Sequence, residues 1–99
     1  MLLSPLVGSW VNTETRSQWI ARIEVRDDNG TLRVRPFGKS DWGERPATAV
    51  YAAGVASTEG AAWIADFSES RVEALVNSGL LVVVAHDGRR FMREFFRRS

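Results

Sequence analysis

The 99-residue chain is predicted to be all-β: a small antiparallel up-and-down meander of about eight strands, closed into a barrel. Three observations predict it. First, apolar and polar residues alternate with the period of two that a half-buried strand requires. The cleanest case is residues 19–26, where Trp19, Ala21, Ile23 and Val25 oppose Arg22, Glu24 and Arg26. Second, turn dipeptides that accept positive φ, Asn29-Gly30 and Asp87-Gly88, separate such runs. Third, strand plus turn takes about 12 residues throughout, an even spacing typical of all-β folds. Closure removes the exposed edges that so much sheet would otherwise present.

In chain order, residues 6–12 read as a first strand and 19–26 as a second, joined through the turn at 27–30 to a third at 31–37. The third places Leu32, Val34 and Pro36 on one face and Arg33 and Arg35 on the other. Residues 38–44 form a loop. A strand over 46–56 and a turn at 57–60 lead to a fifth strand, 61–67, with Trp63, Ala65 and Phe67 on one face. Residues 70–78 support two readings. Ser70-Arg71-Val72-Glu73 fits a helix capping box, with Val72, Leu75 and Val76 at helical spacing and Gly79 as a stop. Val72, Ala74 and Val76 also alternate, and hairpins on both sides favour a strand closed by a short loop at Asn77-Ser78-Gly79. A nearly continuous apolar run, 80–86, and a last strand, 90–97, complete a single domain over residues 1–99, with no repeat or linker.

Composition narrows the function classes. With 13 basic and 12 acidic residues the net charge is +1, too little to attract a polyanion over distance. The absence of cysteine excludes disulfides and thiolate metal sites. The longest apolar run, 80–85, is far too short to span a bilayer as a helix. The first residues, Met1-Leu2-Leu3-Ser4-Pro5, lack a basic leader, so no signal peptide and a cytoplasmic location are expected.

Gly8-Ser9-Trp10 at the opening of the first strand resembles the Gly-X-Trp motif of lipocalins and related barrels, including avidin-like proteins. The resemblance implies that Trp10 plugs one end of the barrel beneath an arginine of the last strand, for which Arg97 is preferred over Arg93 and Arg98. A wider set is similar to short bacterial lipocalin-like domains: Gly8-Ser9-Trp10-Val11-Asn12, Arg22-Ile23-Glu24-Val25, Gly38, Asp41-Trp42-Gly43, Tyr51 and Phe96-Arg97. Those domains carry a cysteine pair before Asp-Trp-Gly. Here Gly38-Lys39-Ser40 stands in its place, so any role of such cysteines is absent.

Four tryptophans in 99 residues, with Tyr51, Phe67 and Phe91, supply either a core or an aromatic-lined pocket. Trp19, Tyr51, Trp63 and Phe67 are the candidate ligand-binding residues, while Trp10 is structural. His86, the one histidine, has Asp87 beside it, but neighbouring strand residues point to opposite faces, so a catalytic pair is not expected. Asp66 is expected to face solvent. Arg89, Arg90, Arg93, Arg97 and Arg98 interleave with Phe91, Phe95 and Phe96, as in single-strand nucleic-acid surfaces. The favoured reading of the same pattern is an edge or outer barrel face, with the arginines spaced to pair with Glu24, Glu73 or Glu94, and no nucleic-acid or membrane partner is expected. No catalytic residue, metal ligand set or cofactor motif is identified.

The expected function is a binding module for a compact apolar or aromatic ligand at the barrel end away from Trp10. A small cyclase- or isomerase-type enzyme and a structural domain with a filled core are the alternatives, and cavity volume distinguishes them. A homodimer is expected through the outer side of 80–85 with Phe95 or Phe91, because a strand apolar on both faces needs cover on both. A competing account folds residues 1–6 over that strand.

Overall fold

A computed structural model of the chain describes residues 6–16, 19–50 and 61–99. The strands are β1 (Gly8–Asn12), β2 (Arg22–Asp28), β3 (Thr31–Phe37), β4 (Arg45–Val50), β5 (Ala62–Asp66), β6 (Arg71–Asn77), β7 (Leu80–His86) and β8 (Phe91–Arg98). Each pairs antiparallel with the next, and β8 returns to β1, closing an eight-stranded up-and-down barrel with no helix among the described residues.

The turns follow from backbone chemistry. Asn29 and Gly30 both take positive φ, 53° and 90°, the conformation of a two-residue turn whose twist matches its flanking strands. Ser78 and Gly79 repeat it at 54° and 79°, so residues 70–78 resolve as strand β6 and a tight hairpin, not a helix. At the β7–β8 turn the Asp87 carboxylate accepts hydrogen bonds from the Arg89 and Arg90 amides, at 2.9 and 2.7 Å. These amides hold its pKa below the usual carboxylate range.

Two predicted strand starts shift by more than one residue. The second strand begins at Arg22, so Trp19 and Ala21 lie in the β1–β2 connection. There the buried Asn12 amide, rather than a sheet neighbour, binds the Ile20 carbonyl at 2.9 Å. Leu6 precedes β1 and is fully buried. The predicted strand over 46–56 is described to Val50; Tyr51 and the turn at 57–60 lie outside the described residues.

The inner faces form the core at the closed end and in the middle of the barrel. Ile23, Val34, Trp63, Val72, Val83 and Phe96 are all fully buried. At the closed end the Trp10 ring is 1% exposed, and its Nε1–H donates to the Leu6 carbonyl at 3.1 Å. The cation over that ring is Arg98, 4.3 Å from the ring centroid, and not Arg97. The register decides this. Trp10 pairs with Arg98 across β1 and β8, and cross-strand partners share a face, so Arg97 points outward beside Val11. Arg98 also donates to the Val7 carbonyl at 2.8 Å. Gly8 makes room for it: its φ is 137°, and a Cβ there would stand 2.9 Å from the Arg98 Nη1. Gly-X-Trp thus has a local physical meaning in this chain, since the glycine seats the arginine that covers the tryptophan.

Candidate functional site

The open end, opposite Trp10, is built by the β1–β2, β3–β4, β5–β6 and β7–β8 connections. Three of them each contribute an aromatic ring. Trp19 and Trp42 lie 5.6 Å apart between centroids, tilted by 44°. Trp42 and Phe67 lie 5.4 Å apart, edge to face at 87°. Such pairs are favourable beyond their buried area because the positive ring edge meets a negative face. The three rings are half-buried, packed against the core on one side and open to the mouth on the other. The Arg90 guanidinium sits over Trp19, 5.0 Å from its centroid.

Local chemistry positions each ring. Asp41 anchors the Trp42 loop: its carboxylate accepts from the Gly43 amide at 2.9 Å and from the Arg35 Nε–H at 3.1 Å, with a second contact to Arg35 Nη2. Those hydrogen bonds, led by Arg35, keep the Asp41 pKa below its ordinary value. Gly43 has φ of 81°, which lets the chain turn back into β4 immediately after the tryptophan. Phe67 is presented by a four-residue connection closed by Phe67 N–H to Ser70 O at 2.7 Å and Ser70 N–H to Phe67 O at 3.3 Å.

The rings border an open cleft of about 750 Å³, within the usual size range of small-molecule sites. Arg45, Arg90 and Glu94 also line it. Register places Arg45 opposite Val34 and Glu94 opposite Val83, so both belong to the interior side of the wall. Asn12, 6% exposed, donates to Glu94 Oε1 at 3.0 Å and to Ile20 O, while its own Oδ1 accepts from the Glu14 amide at 2.8 Å. One buried amide therefore ties the β1–β2 connection, which carries Trp19, to a carboxylate inside the barrel.

Of the predicted ligand-binding residues, Trp19 and Phe67 meet at this mouth. Trp63 is fully buried in the core, its indole N–H without a partner among the described residues, and does not line the cleft. Tyr51 lies outside the described residues. Trp42 and Glu94 join them at the mouth. Glu94 is signalled by the alternation of Met92, Glu94 and Phe96 onto the inner face. Trp42 lies in a loop, where no periodicity points to it.

The remaining ionisable candidates lie elsewhere. Asp66 is exposed and pairs with Arg71 at 2.8 Å, which lowers its pKa. The Asp87 carboxylate is turned toward its own turn amides and does not orient His86. The C-terminal arginines are dispersed: Arg90 covers Trp19, Arg93 covers Phe95 and Arg98 covers Trp10. No cluster of three potential metal-ligating side chains occurs among the described residues.

Glu44, at the end of the same loop, accepts from Arg26 Nη2 at 2.7 Å and from Arg33 Nε at 3.2 Å. The Arg26 hydrogen bond, with help from Arg33, holds its pKa at about 2, below an ordinary 4.5. A folded-state pKa below the unfolded value means that Glu44 stabilises fully above its ordinary pKa. That contribution is lost as pH falls from about 4.5 toward 2. Urea midpoints should therefore separate native protein from Glu44→Gln at pH 6, and the gap should narrow at pH 3. A gap independent of pH would show that the ion pairs contribute nothing to stability.

No protein-family model, curated protein or solved structure matches the chain. No helix among the described residues is long and apolar enough to cross a membrane.

Proposed function

We propose that the barrel is a binding module for a compact ligand with an apolar or aromatic body, taken up at the open mouth between Trp19, Trp42 and Phe67. The convergence of three rings from three separate connections onto one cleft carries this reading. Rings half-exposed in a concavity offer an apolar surface that a ligand can cover, and Arg45, Arg90 and Glu94 offer polar contacts for its orientation. Below the mouth the inner faces carry fully buried side chains such as Val34, Trp63, Val72 and Val83, so the ligand sits near the rim. We extend this to a place among short bacterial lipocalin-like domains. Gly8 and Trp10 at the start of β1, an arginine of β8 over the indole and the eight-stranded closure support it.

The probe is 1-anilinonaphthalene-8-sulfonate, whose fused rings and sulfonate suit aromatic and guanidinium contacts. Titration should quench tryptophan emission and saturate at one dye per chain. Trp42→Ala should weaken binding roughly tenfold, from loss of ring contact and buried area. Leu75→Glu, on the outer wall, should leave it unchanged. Dye binding indifferent to Trp42→Ala, or absent from the native protein, would reject the mouth as the site.

A further inference from the structure

The outer wall carries a second feature, away from the mouth. Its outward face over β5 to β8 holds a shallow groove of about 360 Å³ lined by Ile64, Leu75, Val82 and Val84, with Glu73 and Arg93 at its sides. Two rows cross this face in register. In one, Leu75 on β6, Val82 on β7 and Phe95 on β8 are consecutive partners. In the next, Glu73, Val84 and Arg93 occupy the same three strands. Leu75 and Phe95 are each 41% exposed, unusually open for large apolar side chains on a small domain. Glu73 and Arg93 stand one strand to either side of Val84, about 10 Å apart at ordinary strand spacing, too far to pair with each other. Neither forms an ion pair with any described residue, and Arg93 lies over the Phe95 ring at 5.5 Å.

We propose that this face binds a second copy of the chain, as an isologous dimer whose two-fold axis runs parallel to β7 above Val82 and Val84. Rotation about that axis exchanges the β6 and β8 sides of the face. Glu73 then meets the partner's Arg93, and Arg93 the partner's Glu73. Leu75 meets the partner's Phe95, while Val82 and Val84 meet their own copies. Within these two rows each apolar position faces an apolar one and each charge its opposite, the self-complementarity that a two-fold contact demands. A two-fold axis at right angles to β7 and over the Glu73–Val84–Arg93 row would set Arg93 against its own copy, with repulsion between them. The charge pattern therefore suits a second copy of the chain in this orientation.

Light scattering and sedimentation of the full chain at micromolar concentration test this. The native protein should show twice the chain mass of 11.1 kDa. Glu73→Arg and Arg93→Glu should each raise the dimer dissociation constant at least about tenfold, because like charges then face across the axis. The double swap should restore the dimer. Both substituted residues, Glu73 and Arg93, lie outside the core, and far-ultraviolet circular dichroism should show each variant folded. A native monomer at every concentration, a dimer indifferent to both single swaps, or a double swap that fails to restore association would overturn the proposal.

Discussion

Trp10→Ala should lower the free energy of unfolding by about 3–5 kcal/mol, the usual cost of truncating a large buried aromatic. A chain of this size holds roughly 5–10 kcal/mol in all, so the variant should lose about a third of its stability or more. The effect is large because three layers depend on one indole. Its ring closes the barrel end at 1% exposure, its N–H binds the Leu6 carbonyl, and its outer face carries Arg98. Truncation leaves a cavity at a position the surrounding strands cannot collapse into, because β1 is fixed by both β2 and β8. Urea denaturation followed by circular dichroism measures the change. Arg98→Ala should cost about 1 kcal/mol, the scale of an exposed cation–π contact, and Arg97→Ala nothing measurable. A Trp10→Ala protein that unfolds at the native midpoint would show that the closed end does not depend on this side chain.

Asn12→Ala should be the most costly polar substitution, at roughly 2–4 kcal/mol. Its amide serves the Ile20 carbonyl, the Glu94 carboxylate and the Glu14 amide together. Alanine removes the donor from the buried Ile20 carbonyl and the acceptor from the Glu14 amide, and it cuts the link from the β1–β2 connection to Glu94. A double-mutant cycle with Glu94→Ala isolates that share, with an expected coupling of about 1–2 kcal/mol. The same substitution should weaken dye binding at the mouth, because Asn12 holds the connection on which Trp19 is carried. A cost under about 1 kcal/mol, or strict additivity with Glu94→Ala, would show that the network does not act as a unit.

The sequence by itself determined the strands and their inner faces. Ile23 and Val25, Leu32 and Val34, and Leu81, Val83 and Ala85 alternate, and a strand's period of two converts that spacing directly into burial. It determined the hairpins as well, since Asn29-Gly30 tolerates the positive φ that the turn imposes. Tertiary structure decided what no local period encodes. Residues 70–78 fit both helix and strand periods, and pairing with β5 and β7 settled them as β6. The β1–β8 register chose Arg98 over Arg97, because a one-residue step in a strand exchanges inside for outside. The mouth was the least legible part. Trp19, Trp42 and Phe67 stand in three connections, where side-chain direction follows from hydrogen bonds such as those of Asp41 and Asn12, and only closure of the barrel brings the three rings together.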